Sequence, residues 1–279
     1  MNGILIINKP KGITSRDVVN KISKILNIKK VGHNGTLDPL AEGVLVICLG
    51  KYTKLNELLT SKEKEYIAEV TLGIKTDTLD ITGNAIEKRK ETLDIEKLKK
   101  IINSFPKTYM QEVPKYSAVK VNGKKLYEYA REGIKIKLPK KEVSIKSLEL
   151  LDYSENKFTL RAIVSKGTYI RSLIRDILNE MNIIGTMSSL TRTKQGNFYI
   201  ENSYQIEDIE NGNFQILKIK DVLDLPIIIA GDELKSKIIN GVKLKENYPD
   251  KVLFIDKEGK ELAIYKKDNG VMIVEVMLI

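Results

Sequence analysis

The chain has 279 residues, 42% of them hydrophobic and 30% charged, and its 47 basic against 37 acidic residues give a formal net charge of +10. This composition predicts a soluble globular protein with one large and one small domain, and no apolar run approaches the roughly 20 residues that span a bilayer. The basic excess favours an anionic partner such as nucleic acid, and the N-terminus lacks a secretion signal, so we expect a cytoplasmic protein without membrane contact.

The sequence contains one cysteine and one histidine, which restricts its chemistry. A zinc site built from nitrogen and sulfur ligands has too few donors. Cys48 stands in the apolar run 44–49 and is predicted to be a buried small side chain. Sequence motifs of serine hydrolases, P-loop NTPases and Rossmann enzymes are absent, so these classes are disfavoured.

The first 72 residues predict three strands and one helix. An apolar strand is expected at residues 4–7, and a capping box from Thr14 to Asp17 opens a helix. The apolar run 44–49 predicts a buried strand. Apolar residues at every second position of 66–72 predict a half-buried strand.

The middle of the chain mixes strands and helices without regular alternation. Helical spacing is found at 93–103, strand alternation at 158–164, and a second helical stripe from Ile170 to Met181. Arg171 and Arg175 lie outside that apolar stripe. The mixed order favours an α+β fold with a mixed sheet.

The last quarter of the chain predicts a small β domain. Residues 221–226 are expected to be a connection, and Asp232 is expected to cap a short helix that ends at residues 240–241. Three strands are then predicted at 252–255, 262–265 and 271–276. Asn269-Gly270 between the last two strands is a strong hairpin signal.

Two further segments allow both a functional and a plain structural interpretation. Asp77 and Asp80 are compatible with a magnesium site, but the intervening threonine pattern favours an ordinary turn. Near residues 115–135, basic side chains are interleaved with aromatic ones in a mixture suited to gripping RNA. A solvated surface loop explains the second segment equally well. The tyrosines and arginine concerned are Tyr116, Tyr127, Tyr129 and Arg131.

The segment 32–43, with the sequence GHNGTLDPLAEG, resembles the signature of the TruB family of tRNA pseudouridine synthases. Further blocks with the same resemblance follow the family's order and extend it over nearly all of residues 1–200. They are NKPKG at 8–12, KEY at 64–66, TDTLDITG at 76–83, VPKYSA at 113–118, KVNGKKLYEYAREG at 120–133 and SKGTYIR at 165–171.

The resemblance implies a domain organisation. Residues 1–225 would form a mixed-sheet pseudouridine synthase catalytic domain, and residues 226–279 a small PUA-like β domain. The segment at about 111–141 resembles the family's RNA-gripping insertion, which is expected to be disordered or displaced without RNA.

The resemblance also assigns catalytic roles. Asp38 corresponds to the catalytic carboxylate and Arg171 to its ionic partner. Read alone, an aspartate before proline more often opens a turn or caps a helix. Tyr66 matches a residue whose ring stacks on the target uracil and whose hydroxyl lies where the C5 proton leaves. The isomerisation needs no cofactor and no metal.

The remaining matched positions would contact the substrate. Tyr169 and Leu190 correspond to residues that line the pocket, and His33 to one that contacts the region of the flipped-out nucleotide. The alternative for His33 is a loop histidine donating to a backbone carbonyl. Two residues depart from the family pattern, Asn34 and Glu42, and the Glu42 side chain is expected to point outward.

The function implied is isomerisation of uridine 55 in the T-loop of free tRNA. The enzyme would recognise the T-arm as a monomer, without guide RNA. Two alternatives stay open at this point. One is an RNA-binding tRNA folding factor, and the other is a guide-dependent synthase subunit acting on ribosomal RNA.

Overall fold

The computed structural model describes residues 1–60, 63–245 and 248–279. None of the helices in these ranges is long and apolar enough to cross a bilayer. The helices are α1 (Ser15–Ile25), α2 (Ile95–Ser104), α3 (Leu126–Arg131), α4 (Ile170–Met181), α5 (Ile206–Glu210), α6 (Ile219–Val222) and α7 (Asp232–Ile239), with 3₁₀ helices at Gly50–Leu55 and Ile200–Asn202.

The strands follow one another in chain order as β1 (Gly3–Lys9), β2 (Val31–Asn34), β3 (Glu42–Leu49), β4 (Glu63–Leu72), β5 (Ile74–Thr76), β6 (Ala85–Lys88), β7 (Thr108–Glu112), β8 (Lys120–Val121), β9 (Lys124–Lys125), β10 (Lys140–Ser154), β11 (Lys157–Ser165), β12 (Gly185–Gln195), β13 (Phe198–Tyr199), β14 (Ile227–Ile229), β15 (Lys251–Ile255), β16 (Glu261–Asp268) and β17 (Val271–Met277).

A nine-stranded mixed sheet organises the chain up to β13. Its order is β1-β3-β12-β4-β11-β10-β7, with β2 paired to β3 and β13 paired to β12. The β3 and β12 strands run parallel, whereas the other neighbours are antiparallel. The predicted α+β class is therefore confirmed.

One face of the central strands carries the larger core. In β4 the residues Tyr66, Ala68, Val70 and Leu72 are buried, as their alternation predicts. They pack with the apolar stripes of α2 and α4. The intervening β4 residues face the polar side of the sheet, where Glu69 pairs with a lysine of β11. The sheet thus has one covered and one solvated face at its centre.

The strands β1 and β3 are buried on both faces, which explains why their sequences are continuously apolar. Leu5 and Leu45 pack toward α1 and α5. Ile4 and Val46 pack on the opposite side against residues of β15, β16 and β17. Cys48 lies on this second side, is fully buried, and has its thiol pKa raised to about 12 by burial.

The capping box predicted for α1 is present. Thr14 Oγ1 accepts a hydrogen bond from the Asp17 backbone nitrogen at 3.0 Å, and Asp17 Oδ2 accepts one from the Thr14 backbone nitrogen at 2.8 Å. These bonds satisfy donors that an uncapped first turn would leave free. The start of α1 is therefore fixed at Ser15.

The predicted C-terminal hairpin is confirmed. Asn269 and Gly270 both have positive φ, 47° and 81°, as a type I′ turn between β16 and β17 requires. The other two C-terminal strands form with them the four-stranded order β14-β15-β16-β17. The short strand β14, which runs parallel to β15, was not predicted because three isoleucines carry too little periodicity.

Two local predictions in this region are wrong. Asp232 does not cap α7: the N-cap is Gly231, and Asp232 is the first helical residue. An acidic side chain in the first helical turn interacts favourably with the helix dipole, so the same residue type serves either position. The expected connection 221–226 begins inside α6, which ends at Val222.

The C-terminal sheet is joined to the main sheet by polar contacts as well as apolar ones. The Tyr52 hydroxyl donates to the Glu261 carboxylate at 2.5 Å and accepts from the Ile219 backbone nitrogen at 3.3 Å. Lys54 Nζ donates to the Met277 carbonyl at 2.7 Å. Burial, followed by the bond to Glu261, raises the pKa of Tyr52 above its ordinary value.

We predict that Tyr52→Phe lowers the free energy of unfolding by about 1–3 kcal/mol, because a buried backbone N–H and a carboxylate both lose their partner. Urea denaturation measures this value. Tyr153→Phe is the control, since its ring is 52% exposed. Equal stability of the two variants would contradict the prediction.

Candidate active site

The loop between β2 and β3 carries Asp38 and is held at both ends by a buried arginine. Arg192 is fully buried, and its guanidinium donates to the carbonyl oxygens of Gly35 and Val44, each at 2.7 Å. Gly35 has φ of +80°, and a Cβ there would lie 2.8 Å from Gln195 Oε1. A larger residue at this position would be strained and crowded.

A serine at the start of α1 fixes the residue next to Asp38. The Ser15 hydroxyl accepts a hydrogen bond from the Leu37 backbone nitrogen at 2.9 Å and lies 3.1 Å from the Leu37 carbonyl, to which it donates. The Asp38 carbonyl accepts from the Ala41 nitrogen at 3.0 Å, closing a turn. The backbone of Asp38 therefore opens a turn, while its side chain remains available.

Lys9 supports the same loop from β1. Its fully buried ammonium donates to the carbonyl oxygens of Pro10 at 2.9 Å and Ile13 at 2.6 Å. Burial lowers its pKa to about 8, an effect opposed by the Asp38 carboxylate. Because the Gly12 nitrogen donates to the Pro39 carbonyl at 2.8 Å, the turn that Lys9 organises also contacts the Asp38 loop.

Arg171 meets Asp38 from the first turn of α4. Its Nη2 lies 2.9 Å from Asp38 Oδ2, and its side chain is 5% exposed whereas that of Asp38 is 39% exposed. Nη1 donates to the Thr78 carbonyl at 2.9 Å, and Nη2 donates to the Tyr116 carbonyl at 3.1 Å. Arg171 is thus a buried cation, and the Asp38 carboxylate that it binds is accessible to solvent.

The sequence placed Arg171 off the apolar stripe of α4, yet the residue is buried. Its cover comes from the turn after β5 and from the segment after β7, which are distant in sequence. Within that turn Asp80 Oδ1 accepts from Thr82 N at 3.0 Å and from Thr78 Oγ1 at 3.0 Å. Residues 76–83 therefore form the turn that was favoured over a magnesium site.

No group of three or more His, Cys, Asp and Glu side chains is placed to hold a metal ion within residues 1–60, 63–245 and 248–279. Asp80 Oδ2 instead lies 3.9 Å from Arg171 Nη1.

The side chains around Asp38 are largely apolar. Tyr66 on β4 and Leu190 on β12 are 7% and 6% exposed and share one core cluster with Leu37 and Leu40 of the Asp38 loop. A carboxylate at the rim of this cluster contacts solvent on one side and a low-dielectric wall on the other. Such an environment is suited to holding the flat ring of a nucleobase.

Tyr169 precedes α4, and its backbone is held by Gln111, which sequence reasoning did not single out. The Tyr169 nitrogen donates to Gln111 Oε1 at 2.8 Å, and its carbonyl accepts from Gln111 Nε2 at 3.2 Å. Burial raises the pKa of Tyr169, and the Asp38 carboxylate adds to the rise while Arg171 opposes it. Tyr169 therefore lies in the electrostatic field of the same carboxylate.

His33 lies on β2, paired with Ile47, and not in a loop. Its buried Nδ1 has no hydrogen-bond partner among the described residues, so the expected donation to a backbone carbonyl is not observed for that nitrogen. Burial lowers its pKa, and the nearby Arg16 and Arg192 lower it further. Both effects favour the neutral ring.

Comparisons with known proteins show the family of the chain. A family model described as TruB family pseudouridylate synthase (N terminal domain) matches residues 23–170. Proteins named tRNA pseudouridine synthase B from Mesoplasma florum and Bacillus subtilis are each 41% identical to the chain. The first alignment covers 96% of this chain and 95% of the relative, and the second 95% and 93%. The chain belongs to the TruB family of pseudouridylate synthases.

Two solved structures share the fold of this TruB family member. A chain of a Cbf5-Nop10-Gar1 complex matches with a TM-score of 0.71 and 24% identity. A chain of an H/ACA RNP bound to a substrate RNA containing 2′-deoxyuridine matches with a TM-score of 0.70 and 23% identity. Each match covers 99% of this chain and 85% of the other.

Both departures from the TruB pattern are accommodated locally. Glu42 is exposed, as expected, and accepts a hydrogen bond from Thr191 Oγ1 at 3.0 Å. Asn34 is buried, and its amide nitrogen donates to the Asn56 carbonyl at 2.5 Å and to Thr60 Oγ1 at 3.1 Å. Neither side chain contacts the Asp38 carboxylate.

We predict that Arg171→Lys lowers the free energy of unfolding by about 1–3 kcal/mol, because an ammonium cannot serve Asp38 and two backbone carbonyls in the fork geometry of a guanidinium. Chemical denaturation measures the change. Arg161→Lys is the matched control, since Arg161 makes an exposed ion pair with Glu149. A loss of the same size in both variants would count against a special role for the Arg171 contacts.

Proposed function

We propose that this protein is the tRNA pseudouridine-55 synthase of its cell, acting on the T-arm of free tRNA. The observation that carries the proposal is the Asp38 carboxylate, which is partly exposed and held by buried Arg171 beside the apolar cluster that contains Tyr66 and Leu190. The names of the relatives, tRNA pseudouridine synthase B, supply the substrate class.

The reaction is an isomerisation. The N1–C1′ bond of uridine breaks, the uracil turns, a C5–C1′ bond forms, and the C5 proton is finally lost to a base and replaced on N1. Redox equivalents and transferred groups are not required, so the proposal includes no cofactor and no metal. What the protein must supply is an oriented carboxylate, a binding surface for the detached base and a proton acceptor.

In this proposal Asp38 is the catalytic carboxylate and Arg171 keeps it charged and oriented. Tyr66 stacks on the uracil, and its hydroxyl lies where the C5 proton leaves. Tyr169 and Leu190 line the pocket. A uridine inside a folded T-loop must leave its stack to reach Asp38, at a cost of a few kcal/mol, and His33 contacts the region that it vacates.

The segment at about 111–141 is proposed to grip the RNA, moving when the RNA enters. Its strands β7 and β10 pair from Glu112 with Lys140 onward, so residues 113–139 lie outside this pairing. Within it, Lys124 lies 5.0 Å from the Tyr129 ring centroid and Arg131 lies 5.3 Å from that of Tyr127. The same aromatic faces are suited to stacking on bases.

We further propose that residues 1–225 form the catalytic domain and residues 226–279 a PUA-like domain. The four strands β14–β17 have their own core around Phe254, Leu262 and Tyr265, which supports the division. The protein is proposed to act as a monomer without guide RNA.

The test uses unmodified tRNA and an isolated T-arm hairpin, without added metal, nucleotide or guide RNA. We predict that the wild-type protein forms pseudouridine at position 55 in both RNAs, whereas Asp38→Asn loses at least about 10²–10⁴-fold in rate while still binding them. Quantitative detection of pseudouridine, combined with a binding titration, measures both quantities.

Glu42→Gln is the matched control, because it removes an exposed carboxylate at the start of β3, directly after the Asp38 loop. It should retain activity. Wild-type protein that binds both RNAs but forms no product would favour the tRNA folding factor. Product that appears only after a guide RNA is added would favour the guide-dependent synthase.

A further inference from the structure

Lys64 lies beside Tyr66 on the face of β4 that carries the candidate active site. Side chains two residues apart on a strand point to the same face, with Cα atoms roughly 7 Å apart. The cross-strand neighbours of Lys64 are Val164 on β11 and Gln195 on β12, and both are buried. The Lys64 side chain therefore lies on the same face of β4 as Tyr66, between buried neighbours on both adjacent strands.

The charged groups that shift the pKa of Lys64 are all positive. Burial, with Arg192, Lys141 and Lys166 adding to its effect, lowers the pKa of Lys64 to about 8. The Lys141 ammonium lies against the backbone of Gly167, directly after Lys166. Among the described residues, no carboxylate forms an ion pair with Lys64, Lys141 or Lys166.

Other shielded lysines of this protein have partners. Lys9 donates to two carbonyl oxygens, Lys235 pairs with Asp256 at 3.0 Å, and Lys251 pairs with Glu275 at 2.7 Å. A half-buried cation surrounded by cations costs folding free energy unless an anion joins it. A shielded cation of this kind is a candidate for contact with an anionic ligand.

We propose that Lys64, with Lys141 and Lys166 beside it, binds a backbone phosphate of the RNA next to the nucleotide whose base lies on Tyr66. The proposal rests on the function proposed above, since an RNA substrate brings the missing anion together with the base. The contact is independent of sequence and fixes how deeply the strand enters the pocket.

The test measures binding of the T-arm hairpin to variants made in the Asp38→Asn background. Lys64→Met should weaken binding roughly tenfold, and it should reduce the slope of log affinity against log salt by about 0.7–0.9, the value for one phosphate contact. Lys64→Arg should retain most of the slope. Lys157→Met is the matched control, because Lys157 pairs with Glu69 on the opposite face of the sheet.

A second measurement locates the phosphate. Hairpins with one neutral methylphosphonate at each linkage flanking the target uridine are titrated against both proteins. At the contacted linkage the neutral group should weaken binding by the Lys64 protein roughly tenfold but leave Lys64→Met unaffected. Lys64→Met should unfold at the same denaturant concentration as the parent or a higher one, because it loses an unpaired cation.

The outcomes separate the two proposals. Wild-type protein that forms pseudouridine in the hairpin, together with unchanged affinity and salt dependence in Lys64→Met, would overturn the phosphate site alone. A lysine variant that binds weakly and also unfolds early would assign Lys64 a structural role and would likewise overturn it. Absence of product with every RNA would remove both the proposed function and this site.

Discussion

The guanidinium of Arg171 joins three segments that are far apart in the chain. It binds the Asp38 carboxylate, the Thr78 carbonyl and the Tyr116 carbonyl at once. Since the guanidinium is almost fully buried, each of these acceptors offsets part of its desolvation cost. The carboxylate at the pocket rim is consequently oriented by contacts that form only when the turn after β5 and the insertion after β7 are in place.

This arrangement joins the segment after β7 to the Asp38 loop. The Tyr116 hydroxyl lies 3.3 Å from Asp77 Oδ2, and its carbonyl accepts from Arg171. A segment that moves to admit RNA would therefore alter the surroundings of Arg171 as it moves. The Asp38 loop has further restraints, because Arg192, Ser15 and Lys9 form hydrogen bonds with its backbone or with the turn beside it. The contacts that orient the carboxylate backbone and the segment proposed to move thus belong to different parts of the fold.

Sequence patterns predicted helices, strands and turns correctly where neighbouring residues determine the structure. The capping box at Thr14, the alternation in β4 and the Asn269-Gly270 turn depend on neighbouring residues only. The burial of Arg171 could not be predicted from helical periodicity, because distant segments cover it. The hydrogen bonds from Gln111 to the Tyr169 backbone and from Arg192 to the ends of the Asp38 loop could not be predicted from local sequence either. A glutamine or arginine in a strand is ordinarily a surface residue. Asp38 was identified by a motif, whereas its orientation depends on tertiary contacts.

The two-sided burial of β3 gives the protein an internal reporter. Cys48 is its single cysteine and lies where the C-terminal sheet covers the strand that follows the catalytic loop. A thiol reagent reaches this sulfur only when the two sheets separate or the chain opens, and the raised thiol pKa slows the reaction further. The rate of alkylation of the unmodified protein thus follows the opening of that interface, so the effect of RNA binding on it is measurable without an introduced label.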